Sequence, residues 1–214
     1  MSQTDPFPPS EFDPWAKTYD QDVVNQNQFP FDGYERVLET VLKSAAPTSG
    51  MSVLDIGTGT GNLAIRFADR GCELWCTDFS EAMLAKAREK LPQAHFALHD
   101  FRTPLPKELN RRFDRIVSAY VFHHVELGEK INLCKKLVAQ NLTANGKLIV
   151  ADLSFPNLEA MNSFARSVGE LWDQEPYWLV DEAIPAFEEA KLQVEYIQVS
   201  ACAGVYVVVP TYTE

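Results

Sequence analysis

Between residues 51 and 151 the chain alternates compact apolar runs with segments whose apolar positions recur every three or four residues. The runs at 51–56, 73–77, 95–98, 115–119 and 147–151 are short and bounded by turn residues, which predicts buried parallel strands. Between them, Leu63, Ala64, Phe67 and Ala68 share a helical face, as do Met83, Leu84, Ala87 and Leu91. A third such set is Ile131, Cys134, Val138 and Leu142. Gly71 closes the first of these helices, Ser80 caps the second, and Asn145-Gly146 marks a turn after the third. Strands alternating with amphipathic helices predict a parallel sheet covered on both faces.

The ends of the chain read differently. Residues 1–13 carry three prolines and no apolar run, and are expected to be a disordered lead. Asp13-Pro14 predicts a helix over 15–24. Asp32 predicts the cap of a second helix, whose face is Tyr34, Val37, Leu38, Val41 and Leu42. Beyond the fifth strand, Met161, Phe164, Val168 and Leu171 mark one helix and 181–190 another. Runs at 192–199 and 205–209 are too close for a parallel crossover, so the sheet is expected to end in an antiparallel strand. Residues 14–214 are expected to form a single domain.

Composition narrows the partners. The 214 residues, 46% of them hydrophobic, suffice for a core without disulfides or structural metal. A formal net charge of -11 disfavours phosphate backbones and anionic membranes, so neither nucleic acid nor a lipid surface is an expected partner. Cys72, Cys76, Cys134 and Cys202 form no C-x-x-C pair, so they read as reduced thiols and no metal site is expected from them. The first residues resemble no secretory or transit peptide, and no run is long enough to span a bilayer; a cytoplasmic protein is expected.

The chemistry concentrates in the segment Val53-Leu54-Asp55-Ile56-Gly57-Thr58-Gly59-Thr60-Gly61-Asn62. Gly57, Gly59 and Gly61 allow a sharp turn and close approach of a ligand to backbone N–H groups. A dinucleotide turn would place glycine at Asn62; here Asp55 instead stands two residues before the first glycine, where a carboxylate suits a cationic ligand. Asp78 ends the second strand about 20 residues on, where a ribose-binding acid belongs. Asp100 ends the third strand beside Phe101, an acceptor next to an aromatic face, as an adenine ring requires. Phe79 and Met83 are candidates for the opposite face. Three acids at successive strand ends point to a bound nucleoside.

These residues, together with the W-A-x-x-Y-D and F-H-H patterns at Trp15 to Asp20 and Phe122 to His124, resemble the class I S-adenosylmethionine-dependent methyltransferases, most closely small bacterial members of undefined substrate. The resemblance implies a Rossmann-like three-layer α/β sandwich with a seven-stranded, mostly parallel sheet. It implies that the glycine turn holds the methionine part of S-adenosylmethionine, Asp78 the ribose and Asp100 the adenine. Ser118, late in the fourth strand, joins that cofactor set. Residues 14–46 are expected over the site, and 153–190 as a helical insertion building an acceptor pocket, with Trp172, Tyr177 and Trp178 as candidate walls.

Methyl transfer is an in-line displacement in which the protein positions and desolvates the acceptor and sometimes takes its proton. Ligands sit at strand carboxyl ends in such sheets, and the fourth strand runs into His123-His124. His124 is the first candidate for the base, His123 the second, and Tyr19 a third catalytic candidate that can hydrogen-bond the cofactor or help the base. Asp152 is a candidate facing the acceptor. The expected partner is a small-molecule acceptor, for a monomer or homodimer. A competing reading is a non-catalytic sensor of S-adenosylmethionine or its product. A nicotinamide-dependent reductase is disfavoured by Asn62 and Asp55, and nucleic-acid methylation by the lack of an N-P-P-Y type signature.

Overall fold

A computed structural model describes residues 8–25 and 28–210; of the expected lead over residues 1–13, residues 1–7 lie outside the described residues, while 9–13 belong to the first helix. The chain opens with three helices, α1 (Pro9–Trp15), α2 (Tyr19–Asn25) and α3 (Tyr34–Ala45). The first differs from expectation. Pro8 is extended and Pro9 occupies the first helical turn, where a missing N–H costs nothing, so α1 starts before Pro14 rather than at it. Pro14 lies inside α1, and a turn at residues 16–18 separates it from α2. For α3, Gly33 in the left-handed region, not Asp32, makes the entry.

The sheet elements are β1 (Ser52–Ile56), β2 (Glu73–Asp78), β3 (His95–Leu98), β4 (Phe113–Ala119) and β5 (Leu142–Phe155), interleaved with α4 (Ala64–Ala68), α5 (Glu81–Lys90) and α6 (Leu127–Asn141). Then follow α7 (Leu158–Val168), β6 (Trp178–Leu179), α8 (Val180–Glu189), β7 (Gln193–Gln198) and β8 (Ala203–Val209). The strand order is β3-β2-β1-β4-β5-β8-β7, with β6 paired to β5 off this path. β8 runs antiparallel to both neighbours, as the short gap before it required. The two-residue β6, parallel to the end of β5, had no periodic signal in the sequence. Asn145-Gly146 does not separate α6 from a new strand: Phe113 pairs with Leu142 and Arg115 with Lys147, so the extra residues of β5 bulge out while pairing resumes beyond them.

Strand alternation divides the core between the two faces of the sheet. Val53, Val117, Ile149, Val205 and Val207 pack with Val37, Leu38 and Val41 of α3. Their strand neighbours Leu54, Ile116, Leu148, Val150, Tyr206 and Val208 point the other way, onto Ile131 and Cys134 of α6 and Phe187 of α8. Each such side chain contributes roughly 1.5–3 kcal/mol by leaving water. A third apolar cluster, of Phe29, Leu153, Phe155, Met161 and Tyr177, joins α7 to the end of β5. No helix among the described residues is long and apolar enough to cross a membrane.

This topology fixes where a ligand can sit. Strand order reverses between β1 and β4, and a crevice forms outside the carboxyl ends of strands flanking such a switch point.

Candidate active site

The turn leaving β1 is built by its glycines for two different reasons. Gly57 has φ +68, and a Cβ there would collide with Cγ2 of Val121 in the segment leaving β4. Gly59 has φ +54, and a Cβ there would meet nothing within 4 Å. The first glycine thus lets two protein loops touch at the switch point, whereas the second leaves open a space beside the cavity. Asp55 does not reach that cavity. It is buried beneath the turn, where Oδ2 accepts from Thr58 Oγ1 at 2.7 Å. Burial pushes its carboxyl up to about 7, the Thr58 hydrogen bond opposing and the nearby Asp78 reinforcing the shift.

Gly57 and Gly59 wall a cavity of about 450 Å³ that runs to the ends of β2, β3 and β4. At β2, Asp78 accepts from the backbone N–H of Gly59 at 2.8 Å and of Ser80 at 2.9 Å, so the glycine turn and the acid hold each other in place. Burial raises the Asp78 carboxyl to about 6 against these backbone donors. A carboxylate has about four acceptor sites, so capacity remains for ligand hydroxyls. Phe79 and Met83 line the same wall. Ser80 caps α5 by accepting from Met83 N at 3.1 Å.

Beyond β3, Asp100, Phe101 and Arg102 line the cavity. Arg102 binds Asp100 through two guanidinium nitrogens, with Nη2 2.7 Å from Oδ2, which fixes the carboxylate's plane. Phe101 stacks on Phe122, ring centroids 5.7 Å apart.

The segment leaving β4 carries the other end of the site. Tyr120, at φ +60, takes a conformation that non-glycine residues rarely hold, and turns the chain into a short 3₁₀ segment, Phe122–His124. His123 and His124 both face the cavity. Nδ1 of His123 lies 2.5 Å from Oδ1 of Asp152, and Asp152 is wholly buried. Its other oxygen accepts from Trp178 Nε1 at 3.1 Å. Nδ1 of His124 lies 2.9 Å from Oε2 of Glu175, and the same oxygen is 3.7 Å from Nε2 of His123. Burial works against the His123 cation, but Asp152 and Glu175 outweigh it and its pKa lies above the ordinary value. For His124, burial and the neighbouring His123 win, and its pKa is lowered. Behind them Lys130, 1% exposed, donates to the carbonyl of Pro176 and sits 4.8 Å from the Trp178 ring.

The N-terminal helices cover the cavity with Phe12, Trp15 and Tyr19. Two carboxylates hold this cover. Asp13 accepts from Ser80 Oγ at 2.5 Å. Asp20 accepts from Thr60 Oγ1 at 2.5 Å and Asn62 Nδ2 at 3.0 Å, and pairs with Lys90 at 2.7 Å. The phenol of Tyr19 hydrogen-bonds Tyr34, and burial holds its pKa well above the ordinary value, so it stays neutral.

The residues expected from sequence therefore fall into two groups. Gly57, Gly59, Asp78, Phe79, Met83, Asp100, Phe101, His123, His124 and Tyr19 all line one cavity. Asp55, Gly61 and Ser118 are not among its lining residues; Ser118 donates to the Ile56 carbonyl at 2.7 Å and ties β4 to β1. Of the expected aromatic walls, Tyr177 lines the cavity, while Trp178 is fully buried behind Asp152. Glu175, Arg102 and Val121 carried no sequence signal, since each acts through contacts across the fold. Asp20 stood in the W-A-x-x-Y-D pattern, but only its partners on the glycine turn and α5 reveal its use.

Residues 53–146 match the family model described as methyltransferase domain. An uncharacterized methyltransferase of Geobacillus thermodenitrificans is 34% identical over 203 residues, spanning 89% of this chain and 91% of that protein. One from Bacillus subtilis is 35% identical over 154 residues, 70% of this chain and 68% of the relative. Among solved structures, magnesium protoporphyrin IX methyltransferase from Synechocystis with bound SAH superposes with a TM-score of 0.71 at 16% identity, over 94% of this chain and 97% of that one. A DhpI–SAH complex gives 0.72 at 15% identity, over 94% of both chains. At these identities the structural likeness speaks for the fold.

Proposed function

The chain belongs to the S-adenosylmethionine-dependent methyltransferases, and on that premise we propose that it methylates a small molecule held between the histidine pair and the glycine turn. The observation that carries this reading is a single cavity with Gly59, Asp78 and Asp100 along one side and His123, His124 and Glu175 at its other end. Its volume of about 450 Å³ is in the range of small-ligand sites.

The residues present fit the cofactor. The open space at Gly59 admits a ligand against the backbone, Asp78 offers acceptors for ribose hydroxyls, and Asp100 beside Phe101 offers an acceptor and a ring face for adenine. S-adenosylmethionine supplies an electrophilic methyl group on a sulfonium. The chain supplies the rest. Phe12, Trp15 and Tyr19 exclude water, the β4 end orients the acceptor, and Nε2 of His123 takes its proton. Asp152, on Nδ1, fixes the ring and stabilises the imidazolium that forms. His123 thus takes precedence over His124 as base, because it has the buried carboxylate partner.

Calorimetry with S-adenosylhomocysteine and NAD, followed by S-adenosylhomocysteine release against a panel of amines, thiols, phenols and carboxylic acids, tests the reading. Binding of S-adenosylhomocysteine but not NAD, with turnover on a small acceptor, is expected. Tight binding with no turnover on any class would favour a sensor instead.

A further inference from the structure

His123, His124 and Glu175 each place a donor atom so that all three lie within 4.8 Å of one another. Asp152 occupies Nδ1 of His123, which leaves Nε2 as that residue's donor. Oε2 of Glu175 is 3.7 Å from that Nε2 and 2.9 Å from Nδ1 of His124. Ligands of one tetrahedral zinc ion, each about 2.0–2.2 Å from the metal, stand about 3.3–3.5 Å apart. Two of the three separations lie on either side of that value and the third is within 4.8 Å, so an ion can replace the proton between His124 and Glu175 as the side chains draw together.

Three further features suit a cation. The carboxylate–histidine contact at Nδ1 of His123 is the outer partner that metal-bound histidines usually have, fixing the tautomer and the ring plane. Two carboxylates, Asp152 and Glu175, face the two imidazoles, and the nearby Lys130 ammonium donates to the Pro176 carbonyl. All three donors line the cavity, so a fourth position would open on its interior.

The geometry points to a divalent transition-metal site, of zinc or cobalt class, formed by His123, His124 and Glu175 with Asp152 behind it. Two nitrogens and one carboxylate oxygen favour such an ion over magnesium or calcium, which prefer all-oxygen shells. A bound ion takes the lone pair that the proposed base uses, so ion and acceptor proton compete for Nε2. What the ion would face rests on the proposed function; the three donors do not.

The full chain, stripped with chelator and dialysed against Zn²⁺ alone, is expected to retain one equivalent, read by elemental analysis. Co²⁺ in its place should give the visible absorption of a nitrogen-bound tetrahedral ion. Glu175→Gln and His124→Asn should lose the retained ion, and Asp152→Asn should weaken it by about 10–100-fold. Cys72→Ser, which alters a partly exposed thiol, should keep it. S-adenosylhomocysteine calorimetry on each variant reports the cofactor site separately. If Glu175→Gln fails to fold, His124→Gln carries the same test. No saturable retention, or retention that survives the histidine and glutamate changes, overturns the ion site while leaving methyl transfer intact. Ion retention without S-adenosylhomocysteine binding would instead overturn the proposed function and leave the ion site standing.

Discussion

Nδ1 of His123 lies 2.5 Å from the buried carboxylate of Asp152, although 29 residues separate them in the chain. The contact spans the neighbouring strands β4 and β5, paired in parallel register with Ala119 opposite Ala151. It turns Nε2 away from the carboxylate and sets His123 apart from His124, whose partner Glu175 comes from the segment between α7 and β6.

If His123 is the base, His123→Gln should lower turnover by roughly a hundred- to ten-thousand-fold, the usual contribution of a positioned acid–base group. Asp152→Asn should lower kcat by less, with little change in cofactor affinity. Near-normal kcat in His123→Gln, measured as S-adenosylhomocysteine release, would transfer the role to His124.

The two glycines should fail differently. Gly59→Val also takes a strained φ but meets no neighbour and fills the open space beside the cavity, so S-adenosylhomocysteine binding should vanish while most of the fold survives. Gly57→Val forces a side chain into Val121 and a strained φ, and should lower stability by about 1–3 kcal/mol, the usual cost of overpacking. Adding Val121→Ala should recover part of that loss in urea unfolding. Equal destabilisation by both substitutions would contradict the distinction.

Asp78 should govern cofactor affinity and its pH dependence. Asp78→Ala should cost roughly 1.5–3 kcal/mol, the value of hydrogen bonds to a charged group. Burial holds the carboxyl near about 6, so affinity should fall as pH drops through that value and the group takes a proton. Calorimetry across this range should show the slope in the wild type and none in Asp78→Asn.

Asp55 should make the fold more stable in mild acid. Its folded pKa, raised by burial to about 7, lies above the unfolded value of about 3.9, so the folded state binds the proton first. Stability from this group therefore rises as pH falls from about 7 towards about 4, and is lost above. Asp55→Asn should flatten that part of the unfolding profile. An unchanged difference between the two proteins at every pH would refute the shift.

The amino-acid sequence by itself determined what is local. Five strands, their order of appearance, the Ser80 cap, the glycine turn and the acids at the ends of β2 and β3 are all set by side-chain periodicity and turn chemistry within a few residues. The tight gap between the last two strands likewise required an antiparallel pair. Only the tertiary structure decided which of these residues share a cavity. Asp55 sits two residues from Gly57 yet is shut beneath the turn by its bond to Thr58, because every residue of β1 is buried. The start of α1 could not be placed from Asp13-Pro14, since Pro9 serves equally well as a first-turn residue. Asp152, Glu175 and Asp20 gain their parts from partners 29, 51 and 40 residues away. Such contacts depend on how strands pair and helices close over the sheet, and spacing along one chain does not encode that proximity.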